Sequence, residues 1–241
     1  MTGVTKIQDF QVFGERRSGT NYIRALIAKN LKIKHVHHYG WKHGPPTMPA
    51  ISKNSLLVLA VRDPVEWVKG LYVNPYEIAE HLRVALPFSE FIRHEWEAVA
   101  LPGMQGWEKY GHYQNQELRG EELQWDRHPI TGARYKNVLE MRTVKYQAWL
   151  GLRQRAKNFA LIRYEDARDE PEKTIAKVAS DFGISQKPNF TRIEKRLGNF
   201  SIFPKGTRER PDQISDADLT HIKSQLDRHL EQKLGYKIDQ I

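Results

Sequence analysis

Two glycines that enclose a run of basic and hydroxyl residues mark the segment best suited to bind an anion. Between Gly14 and Gly19 lie Glu-Arg-Arg-Ser, so Arg16 and Arg17 fall inside this segment. Phe10, Val12 and Phe13 favour a strand before it, and apolar residues at helical spacing favour a helix after it. A glycine loop between strand and helix gathers backbone N–H groups and the positive helix end around a phosphate-like group. The sequence therefore predicts an anion-binding loop.

The spacing of the two glycines is that of a Walker A nucleotide-binding loop, but the residues that follow differ. That motif requires Lys and then Ser or Thr after the second glycine. Here Thr20 and Asn21 follow it, so the lysine that reaches the terminal phosphates is missing. The cations precede the second glycine instead. Without a ligand, the same residues would form only a basic loop between a strand and a helix.

A histidine that could accept a proton lies beyond a second predicted strand. Residues 32–40 alternate and contain β-branched side chains, which predicts a short strand ending in the loop 40–46. Lys42 and His43 lie in this loop, where binding residues collect in parallel α/β sheets. The neighbouring histidines lack the spacing of a metal-binding motif, so no metal site is expected.

Polar residues also follow the third and fourth predicted strands. Arg62 comes directly after the apolar run 55–61, which has the pattern of a central strand covered on both faces. Its guanidinium suits bidentate binding of an oxyanion, or else an ion pair within the fold. Tyr164 follows the strand predicted at 159–162. Since the carboxyl ends of parallel strands share one edge of the sheet, we expect these polar residues to gather there.

Helical periodicity and capping residues organise most of the remaining chain. Strands that alternate with helices predict an α/β protein, with three α/β/α layers around a central parallel sheet. We expect one domain over 1–241, with an irregular, aromatic-rich insertion at about 73–135 that selects the substrate. Further helices are predicted from Pro64 onward, over 89–99 and over 137–157. Two more are predicted near the end of the chain, one from an Asp169 cap to Gly183 and one from a Ser215 cap past Leu230.

Composition narrows the classes of function. Zero cysteines exclude disulfides and thiolate chemistry. The formal charge of +9 favours an anionic partner. Because the basic residues are dispersed and no nucleic-acid-binding signature appears, we expect a small polyanionic ligand rather than nucleic acid. The sequence has neither a signal-peptide core nor a membrane-length apolar run, so we expect a cytoplasmic protein without membrane insertion.

The order of these segments resembles the PAPS-dependent sulfotransferases, a family with a P-loop-like α/β/α fold in which PAPS donates a sulfuryl group. In the family's 5′-phosphosulfate loop, Lys or Arg precedes Ser-Gly-Thr and an aromatic residue follows. The resemblance implies that this loop binds the donor and that the aromatic residue packs on the adenine. The matching residues are Arg17, Ser18, Gly19, Thr20, Asn21 and Tyr22, with Arg16 as a further cation of the loop.

Later segments match the same family in order. The family's Lys-Thr-His precedes the 3′-phosphate arginine by about twenty residues, and its His is the general base. Here Lys42-His43 precedes Arg62, without the middle residue. A serine that contacts the 3′-phosphate is replaced by Gly70, and Tyr164 matches the tyrosine that reaches the adenine. The late loop that closes on the 3′-phosphate is matched by Lys205, Gly206 and Thr207.

The resemblance implies sulfuryl transfer from PAPS to a hydroxyl or amine of a small-molecule or carbohydrate acceptor, with PAP as product and no metal required. Such in-line transfer depends on positioning and charge stabilisation. Arg17 would stabilise the leaving phosphate, Lys42 would assist from the acceptor side, and His43 would accept the proton. Two alternatives stay open. One is a nucleotide-dependent kinase of related P-loop fold, and the other is a degenerate, non-catalytic nucleotide-binding module.

Overall fold

A parallel sheet forms the centre of the fold. In this computed structural model the described residues are 6–83, 86–101, 116–195, 197 and 208–240. Within them the sheet has four strands in the order β2-β1-β3-β4. The strands are β1 (Asp9–Phe13), β2 (Lys34–His35), β3 (Ser55–Val61) and β4 (Asn158–Arg163). The prediction of an α/β fold with a central parallel sheet is therefore confirmed.

The register of the strands places their carboxyl ends at one edge. Phe13 lies opposite Leu59, and Val61 lies opposite Arg163. All seven residues of β3 are buried, so both faces of this strand are covered, as in a three-layer α/β/α sheet. The segments that follow β1, β3 and β4 consequently start at the same edge of the sheet.

Helices form most of the other regular secondary structure in the described residues. In the described part of the chain, none is long and apolar enough to cross a membrane. The α-helices of the described residues are α1 (Thr20–Asn30), α2 (Pro64–Val73), α3 (Glu80–Arg83), α4 (Phe88–Phe91), α5 (Val138–Leu150), α6 (Leu152–Arg155), α7 (Tyr164–Asp169), α8 (Pro171–Phe182), α9 (Asp216–Gln225) and α10 (Arg228–Leu234).

The chain divides into two compact units, each made of two stretches. The first comprises 1–63 and 148–199 and contains the sheet. One hydrophobic cluster there joins one face of the strands to α1 and α8, with Val12, Val58, Ile23 and Ile175 among its members. The predicted single domain over 1–241 stays a prediction.

The second unit comprises 64–147 and 200–241. A fully buried ion pair in this unit joins α5 to α10. Arg142 donates from Nε and Nη2 to the Glu231 carboxylate at 2.7 and 2.9 Å, and both side chains are fully buried. The Arg142 guanidinium also lies 5.1 Å from the ring of Trp67. This pair fixes the two helices in the interior of the unit.

The second strand is shorter than the sequence predicts. Only Lys34–His35 is strand, instead of 32–40. The side chain of Gln11 explains the early end, because it accepts the N–H of Tyr39 at 3.0 Å and donates to the carbonyl of Gly40 at 2.8 Å. A side chain thus provides the hydrogen bonds that a continued strand would need.

Two predicted helices are also corrected. The helix predicted at 89–99 stops at Phe91, because Trp96, Ala98 and Val99 form bridges with Tyr135, Ile78 and Glu122. The last helix is confirmed at its Ser215 cap, but it ends at Gln225 and α10 starts after Asp227. The Asp227 carboxylate accepts the N–H of Leu230 at 2.9 Å and thereby starts a new helix.

The start of α8 differs by one residue from the prediction. Asp169 is the last residue of α7 and does not cap α8, whose N-cap position is Glu170. The Asp169 carboxylate instead accepts two hydrogen bonds from Arg168, at 2.6 and 2.8 Å. The predicted end of α8 is confirmed, because Gly183 follows it with φ 61°.

Candidate functional site

The loop between β1 and α1 depends on close contacts at both of its glycines. A Cβ added to Gly14 would lie 2.3 Å from the carbonyl oxygen of Ala60. A Cβ added to Gly19 would lie 2.2 Å from Cδ2 of Tyr164. Arg17 and Gly19 both have a left-handed backbone, with φ 67° and 82°. The loop therefore packs directly on β3 and on the residue that follows β4.

The segment that carries His43 is hydrogen-bonded to this loop through Gly14. The N–H of Gly14 donates to the carbonyl of Lys42 at 3.0 Å, and its carbonyl oxygen lies 2.6 Å from Nδ1 of His43. A carbonyl oxygen can only accept, so Nδ1 carries the hydrogen, and in the neutral ring Nε2 then carries the lone pair. His43 is thus in the tautomer whose Nε2 can accept a proton.

Lys42 contacts the start of the first helix. Its Nζ donates to Oδ1 of Asn21 at 2.7 Å, which places the ammonium beside the first turn of α1. Because a helix N-terminus and an ammonium both attract anions, the two reinforce each other. Lys42 therefore lies beside the predicted anion-binding loop, and its role on the acceptor side stays a prediction.

Arg62 and Tyr164 complete the edge of the sheet. Arg62, next after β3, donates from Nη1 to the carbonyl of Arg17 at 3.2 Å. Its guanidinium lies 5.2 Å from the ring of Tyr164, and that ring meets Tyr22 edge-on at 5.8 Å. The structure thus brings the polar residues after β1, β3 and β4 together, as the sequence predicts.

Tyr22 is a hydrogen-bond donor in this group. Burial, and next the neighbouring Tyr164, raise the pKa of Tyr22 above its ordinary value. The phenol therefore stays neutral, and it donates to the carbonyl of Ala167 at 3.2 Å. This bond connects α1 to α7 beside the loop.

The two arginines of the loop differ in their surroundings. Arg16 is only 3% exposed, and its Nη1 lies 3.2 Å from Oε1 of the fully buried Glu15. Arg17 is half-buried and has the left-handed backbone described above. Of the remaining loop residues, Ser18 and Thr20 are buried. Arg17 is therefore the better candidate to meet a ligand.

Gly70 and the segment 205–207 are the remaining predicted ligand residues. Gly70 is buried in α2, within the second unit, and the ammonium of Lys69 beside it donates to the carbonyl of Asp212 at 3.0 Å. Lys205, Gly206 and Thr207 lie outside the described residues. Their roles stay predictions. Among the described residues, no group of three or more His, Asp or Glu could hold a metal ion.

Sequence reasoning missed Trp41, which contacts the ring of His43, and Trp149, which contacts the residue after it. Trp41 is 4% exposed and its ring meets that of His43 at 5.4 Å. Trp149 donates from Nε1 to the carbonyl of Gly44 at 2.9 Å. Adjacency to Lys42-His43 could have drawn attention to Trp41, but nothing in the sequence links residue 149 to residue 44.

Comparison of the sequence with protein-family models and with curated proteins finds no match. The residues of the site alone therefore support the functional proposal.

Proposed function

We propose that the chain is a PAPS-dependent sulfotransferase that acts on a hydroxyl or amine of a small-molecule or carbohydrate acceptor. The hydrogen bond between His43 Nδ1 and the Gly14 carbonyl carries this proposal. It fixes a potential general base on the anion-binding loop itself. A loop that only retained an anion would not need a proton acceptor at this place.

The residues around the loop fit an anionic donor. Arg17, Arg62 and Lys42 supply cations within one unit, and the turn into α1 supplies backbone N–H groups. Arg17 and the loop amides would bind the 5′-phosphosulfate, and Arg62 the 3′-phosphate. Each charge-assisted hydrogen bond contributes about 1.5–3 kcal/mol. The rings of Tyr22 and Tyr164 lie beside the loop, where an adenine would pack.

When bound, PAPS supplies the sulfuryl group and a phosphate leaving group. Nε2 of His43 accepts the acceptor's proton, which is typically worth about 10²–10⁴-fold in rate. Nδ1–H donates to the Gly14 carbonyl both before and after this step, so the same bond orients the imidazole and stabilises the imidazolium.

A nucleotide-dependent kinase is the second candidate, and one observation favours it. The Lys42 ammonium at Asn21 gives the loop a lysine from another segment, although none follows Gly19. Such a lysine could reach the terminal phosphates of ATP as the Walker A lysine does. Preference for ATP with Mg²⁺ over PAP, together with phosphoryl transfer, would favour the kinase.

Calorimetric titration with PAP, beside ADP at the same ionic strength, tests the proposal. We expect micromolar PAP affinity, weaker ADP binding, and a loss of at least about tenfold in Arg62→Ala. Arg153→Ala is the matched control, because this exposed arginine also lies on an aromatic ring, 5.8 Å from that of Phe159. Equal affinities for PAP and ADP would contradict a 3′-phosphate site. PAP binding without turnover of PAPS on any acceptor would favour the non-catalytic module.

A further inference from the structure

A buried ion pair lies inside the anion-binding loop. Oε1 of Glu15 accepts the backbone N–H of Arg16 at 2.9 Å and lies 3.2 Å from its Nη1. Glu15 is fully buried and Arg16 nearly so. An unpaired charge in the interior is costly, so Glu15 keeps the guanidinium within the protein.

The paired guanidinium lies on the ring of Trp41. Cζ of Arg16 is 4.8 Å from the ring centroid, within the range of a cation–π contact. The same ring meets the imidazole of His43 edge-on, at 5.4 Å and 89° between the planes. Glu15, Arg16, Trp41 and His43 thus form one continuous series of side-chain contacts.

The backbone around His43 is fixed at both ends. Before it, the Lys42 carbonyl accepts the N–H of Gly14 at 3.0 Å. After it, the N–H of Gly44 donates to the Trp41 carbonyl at 3.1 Å, and the Gly44 carbonyl accepts from Trp149 Nε1 at 2.9 Å. The backbone that carries the imidazole is therefore held beside the Gly14 carbonyl.

We propose that Arg16, Trp41 and Trp149 are positioning residues that hold His43 with Nδ1–H on the Gly14 carbonyl. Arg16 is then no ligand of the donor, in contrast to the role that its place in the loop predicts. The effect on catalysis rests on the proposed function, whereas the tautomer of His43 is a property of the free protein.

The variant Arg16→Lys tests this proposal in the full chain. Lysine keeps the positive charge beside Glu15 but loses the planar guanidinium on Trp41. Nitrogen-15 NMR of the histidine rings reports the tautomer, and His43→Gln assigns the signal. We expect Nδ1–H in the wild type and mixed tautomers in Arg16→Lys. The kcat with PAPS should fall about tenfold, while the affinity for PAP stays within about twofold.

Arg153→Lys is the control for the same chemical change on an exposed arginine–aromatic pair. An unchanged tautomer in Arg16→Lys would overturn the proposal, and an accompanying tenfold loss of PAP affinity would make Arg16 a donor ligand. If the wild type does not bind PAP, the proposed function fails, but the tautomer comparison still decides this inference.

A second variant, Trp149→Phe, changes no charge. It provides a separate test of the proposal if Arg16→Lys does not fold. It removes the N–H that the Gly44 carbonyl accepts. Mixed His43 tautomers are expected, and an unchanged spectrum would exclude Trp149 as a positioning residue. Trp96→Phe is the control, because it removes a comparable donor, 2.9 Å from Oδ2 of Asp126.

Discussion

Replacing Gly19 with alanine should destabilise the first unit through a specific collision. The new Cβ would lie 2.2, 2.9 and 3.0 Å from Cδ2, Cγ and Cε2 of Tyr164. The ring cannot yield easily, since Arg62 and Tyr22 also contact it. An added methyl in a packed site costs about 1–3 kcal/mol, and left-handed backbone costs a non-glycine residue about 1–2 kcal/mol.

Gly183 offers a matched control for the backbone part of this cost. It has φ 61°, and a Cβ there would meet no atom within 4 Å. Gly183→Ala should therefore lower the free energy of unfolding by only about 1–2 kcal/mol, against about 2–5 kcal/mol for Gly19→Ala. The entropy that alanine removes from the unfolded chain is the same in both variants and cancels in the comparison.

Urea denaturation, followed by tryptophan fluorescence and circular dichroism, measures both variants. The collision is tested by repeating Gly19→Ala in a Tyr164→Ala background, where the cost should fall to that of Gly183→Ala. Equal costs of Gly19→Ala and Gly183→Ala would refute the reasoning. An equal cost of Gly19→Ala with and without the Tyr164 ring would also refute it, because the ring would then not be the obstacle.

Three further predictions concern the base and the second unit. His43→Ala should lower kcat about 10²–10⁴-fold in steady-state assays with PAPS, because it removes the imidazole proposed to accept the proton. Glu231→Gln should lower the free energy of unfolding in urea by about 3–5 kcal/mol, because it leaves the buried charge of Arg142 uncompensated. Burial opposes ionisation of Asp218, yet hydrogen bonds from Arg93, Ser89 and Ser215 hold its pKa below the ordinary value. The stability advantage of the wild type over Asp218→Asn should therefore be complete above about pH 4 and shrink at lower pH, as urea denaturation from pH 6 to 3 would show.

Each of these has a contrary outcome. Full kcat in His43→Ala would remove the assignment of the base, and PAP affinity serves as the control for its folding. A cost of Glu231→Gln below about 1 kcal/mol would mean that the pair contributes no more than an exposed one. An advantage over Asp218→Asn that grows as the pH falls would show the reverse sign of the pKa shift.

The sequence predicts β1, β3 and β4 well because their signals are local. The apolar run 55–61 coincides with β3, since burial on both faces leaves no alternation to misread. Gly183 ends α8 because its conformation depends on neighbouring residues alone. By contrast, the short β2 results from the side chain of Gln11, which lies in another strand, and no local pattern contains that contact.

For the candidate site, the sequence predicts which residues come together better than it predicts how they are arranged. Because parallel strands end at the same edge of the sheet, the polar residues after β1, β3 and β4 must lie near one another. However, nothing in the sequence distinguishes Arg16, turned inward to Glu15, from Arg17 beside it. Nor does it show that Lys42 reaches Asn21, since that contact depends on how the two loops pack.

The pairing of β3 with β4 also has a consequence for biosynthesis. Leu56 pairs with Asn158, so a ribosome must translate the whole stretch between them before the fourth strand can join. Until then, the backbone donors and acceptors on that side of β3 lack their final partners, and an apolar edge of this kind readily recruits other chains. Arg17 and Arg62 emerge early, but the ring of Tyr164 that packs on Arg62 arrives only with the fourth strand. A nascent chain stalled between Arg62 and Asn158 therefore carries most of the cations of the proposed anion site, without the fourth strand and the Tyr164 ring that pack beside them.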